Sequence, residues 1–308
     1  MRAVRVHGSG GPEVLRITEV PDPVPGPGEV VLRVVASTVN PTDTMRRAGA
    51  AAWRVPTDGP YGLGMDASGT IEQVGPGVDL QVGERVVALV VPSQDRGAYD
   101  ELVVVPASQV SRAPGSIDLV SAATLPMNGL TAMLALDALA LSPGAVLAVT
   151  GAAGAVGGYA IQLAKARGLH VIADTSEADE ELVRSLGAER TVPRGSDFAA
   201  HVRALESDGV PGLIDGSVQG PEILPALSDG GAVAVLRPPD FDTHRVNVHF
   251  VKVSTAVARP GLLDELVAHA EAGRVTTRVA RRLPLASAAE AHRLLERGGL
   301  RGRIVLGP

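Results

Sequence analysis

The sequence predicts an α/β chain in two parts: a parallel sheet covered by helices, set within a mainly antiparallel, barrel-like part. Three observations carry this. Up to about residue 119 short β segments are separated by Gly and Pro, and beyond it strand and helix patterns alternate. The third is the closing stretch RGRIVLGP, a further strand pattern that needs a sheet to join.

Taken in order, residues 2–6, 15–19 and 29–37 read as strands, the last following the turn-rich PDPVPGPG. ASGTIEQVG, GERVVALV and AYDELVVVP continue the series with Gly and Pro between them, which suits an antiparallel barrel rather than βαβ units. From Leu119, helix-forming runs lead through an SPG turn to a strand at 146–150. Residues 161–167 then read as helix, 171–173 strand, 180–186 helix, 213–215 strand, 223–227 helix and 233–236 strand. Such alternation marks a parallel sheet with helices on its faces. GLLDELVAHAEAGRV sets Leu262, Leu266 and Ala270 on one helical face, and ASAAEAHRLLERGG reads as a second helix stopped by glycine. The N-terminal β part is the expected host for the closing strand.

With 308 residues the chain has room for two domains. Apolar residues make up 45%, with 36 Gly and 23 Pro, a balance that favours a folded, turn-rich α/β protein over disorder. Aromatics are only 2%, so the core must be built from aliphatic side chains. A formal net charge of -6 supplies no basic field for polyanions, and no nucleic-acid partner is expected. The absence of cysteine removes disulfides, thiolate zinc sites and cysteine nucleophiles together. MRAVRVHGSG starts without a long apolar run, so neither a signal peptide nor a membrane span is expected, and a cytoplasmic location is the default. The seven histidines show no metal-ligand spacing, and no Gly-x-Ser-x-Gly elbow marks a hydrolase.

The chemistry concentrates in VTGAAGAVGGYAIQLAKARGLHVIADTSE, which reads strand, glycine turn, helix, strand. Gly151, Gly154 and Gly157 are spaced G-x-x-G-x-x-G, with Ala153, Ala155 and Val156 between them. Glycines allow the tight turn and close approach of backbone to a pyrophosphate, and the helix N-terminus adds N–H groups and positive potential. The context is that of a dinucleotide site, and the Gly-Lys-Ser/Thr ending of a P-loop is missing. Asp174, with Thr175 beside it, ends the second strand. An acid there accepts from the adenosine ribose and repels a 2′-phosphate, which tilts the expectation from NADP(H) towards NAD(H); the other reading is a simple turn cap. Arg194, after the next strand, is placed to reach round to a 2′-phosphate.

VNPTDTMRRAG, GMDASGTIEQVGPGVDLQVGERVVAL, LPMNGLTAMLAL, GAAGAVGGYAIQLAKARG and LPLASAAEAHRLLERGGLRGRIVL together resemble the zinc-independent medium-chain dehydrogenase/reductases, in particular the quinone oxidoreductase (zeta-crystallin-like) branch. The resemblance spans the chain. It implies a GroES-like catalytic domain at 1–119 plus 260–308, with a Rossmann domain at 120–259 inserted into it. It also implies NADPH or NADH as hydride donor and a quinone or α,β-unsaturated carbonyl as acceptor. A homodimer through the edge of the cofactor-domain sheet follows from the same likeness, and GGAVAVL at 230–236 suits either such an edge or an interior strand. The zinc-dependent cousins carry a cysteine in the position of Asn40 and a histidine in that of Met65, and neither residue here is a zinc ligand.

For catalysis the candidates are Asn40, whose amide would donate to a substrate carbonyl, Asp43, which would orient the loop or touch substrate, and Tyr61 as a cleft residue. The alternatives are Asx bonds that hold a turn for Asn40 and Asp43, and local packing for Tyr61. Asn128, Thr131, Leu236 and Phe250 are placed by the resemblance towards the nicotinamide, and Arg303 towards the cofactor phosphates; the other readings are a helix-capping hydroxyl for Thr131 and a solvated strand flank for Arg303. Two rival functions stand beside this one: an enoyl-thioester or 2-alkenal reductase, and a non-catalytic NADPH-binding protein of the crystallin type.

Overall fold

The computed structural model describes residues 1–50, 59–241 and 244–307. Its contacts group into two compact units, Met1–Met127 with Ala256–Ala272 and Thr277–Pro308, and Asn128–Thr255 with Gly273–Thr276. The first boundary lies after Met127 rather than after 119, because the segment between is tied to the barrel. The Ser68 hydroxyl donates to the Leu119 carbonyl at 2.5 Å, and the Met127 amide donates to Asp66 at 2.6 Å. The return falls after Thr255 rather than 259, and residues 273–276 rejoin the second unit, where the Thr276 amide donates to Gln162 at 2.9 Å.

The first unit begins with β1 (Arg2–Val6), β2 (Leu15–Glu19), β3 (Glu29–Thr38) and α1 (Pro41–Arg47). β4 (Tyr61–Gly62), β5 (Asp66–Val74), β6 (Arg85–Leu89), β7 (Leu102–Pro106), β8 (Val110–Arg112) and α2 (Leu119–Ala122) follow. α1 had no periodic signal strong enough to read, but its start is written locally. Pro41 fits the first helical position, where no N–H is needed, and the Asp43 carboxylate accepts the Asn40 amide at 2.8 Å. β3 is the organiser of this unit: it pairs antiparallel with β5 and β7, and Val30, Val31 and Leu32 are all fully buried.

α3 (Pro126–Leu139) leads into the second unit, which runs β9 (Val146–Thr150), α4 (Ala155–Ala166), β10 (His170–Thr175), α5 (Glu180–Ser185), β11 (Arg190–Pro193), α6 (Phe198–Leu205), β12 (Val210–Asp215), β13 (Leu227–Val235) and β14 (Asn247–Phe250). All six strands are parallel, in the order β11-β10-β9-β12-β13-β14. This is the doubly wound arrangement, whose chain reverses direction across the sheet between β9 and β12. Phe198, Val202, Ile172, Leu213, Leu227 and Val233 close one face, each such side chain contributing roughly 1.5–3 kcal/mol by leaving water. The helix expected at 223–227 is a 3₁₀ segment, Gly220–Ala226, because Pro225 within it has no amide to donate, and Leu227 already begins β13. The 230–236 run is interior, between β12 and β14, so β14 is the edge strand on that side.

The chain then returns to the first unit as α7 (Leu262–Glu271), β15 (Val279–Pro284), α8 (Ala288–Arg297) and β16 (Arg303–Gly307). β16 pairs antiparallel with β3 and parallel with β15, so the closing strand does find its host in the N-terminal β part.

Candidate functional site

In the second unit the candidate site residues lie along the carboxyl edge of the parallel sheet. Chain direction alone places Gly151 after β9, Thr175 at the end of β10, Arg194 after β11, Leu236 after β13 and Phe250 at the end of β14 on that one edge. Gly151 turns with φ 66, and a side chain on it would meet the Gly216 backbone at 2.8 Å, so the turns after β9 and β12 are packed together at the switch point. Gly154 is the N-cap of α4 and offers no side-chain cap. A Cβ on Gly157 would stand 2.3 Å from the Gly151 carbonyl oxygen, so only glycine lets the helix begin this close to the strand. First-turn amides of a helix have no intrahelical partner, and with the positive end of the helix they form a cradle that fits a pyrophosphate. Ala155 and Val156 lie partly exposed on that first turn, whereas Ala153 is buried beneath it.

Two acids hold the edge in shape from below. Asp174 accepts the Ala152 amide of the glycine turn at 2.9 Å. Asp215, at the end of β12, accepts the Thr150 hydroxyl at 2.8 Å and the amides of Gln219 and Gly220 at 3.1 and 3.0 Å. Asp174 is 0% exposed, which corrects the expectation that it faces the ribose: its side chain turns inward to the loop. Thr175, Asn128 and Thr131 are buried too, the last two near the start of α3, while Leu236 is half-buried and Phe250 is 43% exposed.

The first unit places its polar candidates in the interior. Asn40 is fully buried; its amide donates to Asp66 at 2.8 Å and its oxygen accepts the Arg303 guanidinium at 2.6 Å. Arg303 also donates to Thr38 and to the Val39 carbonyl, and pairs with Asp66 at 3.3 Å. Arg303 is therefore a buried cation matched to a buried carboxylate, a correction to its expected place at the cofactor phosphates. Tyr61 is corrected likewise: it is 1% exposed, packs with Val4, Val6 and Leu63, and donates to the Arg46 carbonyl at 3.0 Å.

Asp43 gathers three donors, the amides of Asn40 and Gly64 at 2.8 and 3.0 Å and the Tyr99 hydroxyl at 3.1 Å. Burial pushes its carboxyl up to about 6 in spite of them. Tyr99 in turn meets His292 Nε2 at 3.3 Å, and His292 Nδ1 lies 3.4 Å from Arg47. Arg47 can only donate and Tyr99 gives its proton to Asp43, so His292 receives at Nδ1 and donates from Nε2 as a neutral ring. Burial, then the Arg47 charge, pushes His292 down to about 3.

Asp66, Asp215, Tyr99 and His292 were absent from the sequence-based candidates. His292 carried a signal: it falls on the buried face of α8 with Ala288 and Ala291. Asp66 carried one as well, as an acid opening a strand whose next three residues are buried.

Comparison with known proteins agrees with this architecture. An alcohol dehydrogenase GroES-like domain model matches residues 26–115, and a zinc-binding dehydrogenase model matches 186–306. A 2-haloacrylate reductase from Burkholderia is 33% identical, covering 99% of this chain and 98% of its own. A quinone oxidoreductase from Pseudomonas aeruginosa is 32% identical over 97% of each. The solved structure of a mycobacterial protein complexed with NADPH superposes with a TM-score of 0.87 at 30% identity, covering 100% of both chains. The chain belongs to the medium-chain dehydrogenase/reductase superfamily, and is one of its NAD(P)H-binding oxidoreductases.

Proposed function

We propose that this protein is a zinc-independent reductase that uses NAD(P)H on an electron-poor double bond, in a quinone or an α,β-unsaturated carbonyl compound. One observation carries the reading. At the two positions where zinc-dependent cousins carry ligands, Asn40 is hydrogen-bonded to Asp66 and Arg303, and the Met65 sulfur accepts the Thr42 hydroxyl at 3.6 Å. An amide and a thioether so engaged do not make a zinc donor set, so no step is routed through a metal. Without a Lewis acid to polarise a carbonyl, the acceptor must already be electron-poor. Relatives named for 2-haloacrylate and quinone reduction support that class.

The dihydronicotinamide, when bound, supplies the hydride. The chain's own part is to bind and to hold. Gly151, Gly154 and the first turn of α4 seat the pyrophosphate, while Asp174 and Asp215 keep that edge in register. Asn40 and Asp43 act as positioning residues that fix the turn between β3 and α1, and the acceptor takes its proton from water. The homodimer belongs to the same reading, with β14 as the open sheet edge.

The test is anaerobic oxidation of NADPH and NADH against a quinone, an alkenal and an acyl-thioester enone, before and after exhaustive chelation. Turnover with the quinone or an α,β-unsaturated carbonyl, unchanged by chelation, is the expected result. Activity confined to simple alcohols, or restored only by zinc, would overturn it.

A further inference from the structure

The last turn of α1 carries two arginines in succession, and their surroundings differ. Arg47 has a buried side chain, donates from Nε to the Gly10 carbonyl at 3.0 Å and pairs with Glu296 at 2.6 Å. Arg46 has no such partners. Its Nε is buried without a hydrogen bond, and among the described residues no carboxylate lies within ion-pair distance of its guanidinium. What holds it is Tyr61: the guanidinium carbon stands 5.6 Å from the centre of the ring, and the ring's hydroxyl donates to the Arg46 carbonyl at 3.0 Å. Ring and backbone together fix the side chain, with its two terminal nitrogens left for a partner. A half-buried cation without a counter-ion is a cost to the fold, and burial pulls the Arg46 pKa below the usual arginine value. The helix dipole does not account for that cost, since Arg47 already serves the last turn.

Thr42 lies four residues before Arg46, on the same face of α1, and its hydroxyl meets the Met65 sulfur at 3.6 Å. Arg46 therefore stands one helical turn, about 5.4 Å along α1, from a position on which the proposed function rests. The terminal nitrogens of a guanidinium form a planar fork that matches the two oxygens of a carboxylate. Resting on the proposed function, we propose that Arg46 is a specificity-determining residue that binds a free carboxylate on the acceptor, so that the substrate is an electron-poor alkene or quinone carrying an acid group. Tyr61 is its positioning residue and acts on the substrate only through Arg46. The carboxylate is held and not transformed; the double bond of the same molecule gains the hydride of NAD(P)H and a proton from water, which leaves NAD(P)⁺.

The experiment compares β-acetylacrylate with its methyl ester, which share one enone and differ by a negative charge. The ester is the more electron-poor alkene, so a preference for the acid has to come from binding. Steady-state kinetics should give the acid a kcat/KM roughly ten- to a hundredfold higher, carried by KM, the scale of hydrogen bonds to a charged group. Arg46→Met should bring the ratio close to one by raising KM for the acid, and Arg46→Lys should keep part of it, since an ammonium retains the charge but not the fork. Tyr61→Phe should narrow the ratio by a few fold. Binding is read without turnover by calorimetry on the protein saturated with oxidised dinucleotide, where levulinate, the saturated counterpart, should bind more tightly than methyl levulinate by the same factor. Equal kcat/KM for acid and ester, or a ratio unmoved by Arg46→Met, would overturn the proposal. Inorganic phosphate displacing levulinate at equal concentration would overturn the assignment to a carboxylate, and an unmoved ratio in Tyr61→Phe would remove the positioning role of Tyr61. Should a variant fail to fold, levulinate against methyl levulinate on the unaltered protein decides alone. Levulinate bound through Arg46 by a protein that reduces neither quinones nor enones would sink the proposed function and leave this inference standing.

Discussion

The two units put buried charge to different uses. In the first, Arg303, Asp66, Asn40 and Thr38 face one another, and Asp43, Tyr99, His292 and Arg47 form a second chain of side chains, so polar groups satisfy polar groups inside the barrel. In the second, Asp174 and Asp215 reach from strand ends to backbone amides of the adjoining turns. The first arrangement fixes strands against a helix. The second fixes the turns along the carboxyl edge of the parallel sheet. A polar residue at the end of a strand therefore does not announce a catalytic group: what it is bonded to decides.

That contrast can be broken most forcefully at Arg303. Arg303→Met strands the Asp66 carboxylate in the interior and should cost roughly 3–5 kcal/mol, while the double variant with Asp66→Asn recovers part of the loss. Urea unfolding measures both, and a single variant within 1 kcal/mol of the parent would show that the pair does not hold the barrel. Gly157→Val attacks the other region. Its side chain would overlap the Gly151 carbonyl, displacing the turn and weakening NADPH binding by roughly ten- to a hundredfold, the scale of one lost hydrogen bond to a charged group. Unchanged affinity by calorimetry would remove the glycine turn from the site.

The smallest effect is a pH dependence confined to the barrel. His292 is neutral in the fold, pushed down to about 3 from an ordinary 6.5. As pH falls the unfolded chain takes up that proton first, so stability drops through this window, by ~2 kcal/mol at pH 5. Asp43 has the opposite sign. Pushed up to about 6 from 3.8, it holds a proton that the unfolded chain has released, so its contribution is greatest at low pH and is lost as pH rises through 6. His292→Gln should remove the acid-side loss and leave the Asp43 slope. Melting curves at pH 5 and pH 8 compare the two, and an identical acid-side slope in the variant would refute the neutral histidine.

Legibility in the sequence followed the same division. The strands at 2–6, 15–19 and 146–150 were readable to the residue because Gly and Pro bound each apolar run. The glycine turn was readable because its constraint is local: spacing, strand before, helix after. α1 was not, since its seven residues are too few to show a period and its start depends on one carboxylate folding back on one amide. Asn40, Tyr61 and Arg303 were visible as residues, but their surroundings were not. Arg303 lies far along the chain from Asp66 and Asn40, and only the pairing of β16 with β3 brings them together. Asp174 was read by residue type and distance from the glycines; strand alternation, which turns its side chain under the loop, set its actual contacts.

The pairing of β16 with β3 also bears on the order of assembly. The unit with the parallel sheet is nearly continuous in sequence, from Asn128 to Thr255, whereas the barrel draws strands from both sides of it. During synthesis the sheet of β9 to β14 can therefore mature while the earlier strands still wait for a neighbour that has not been translated. Until residues 303–307 arrive, the Asp66 carboxylate has no guanidinium to meet, and the barrel's readiness is timed by the last strand to emerge.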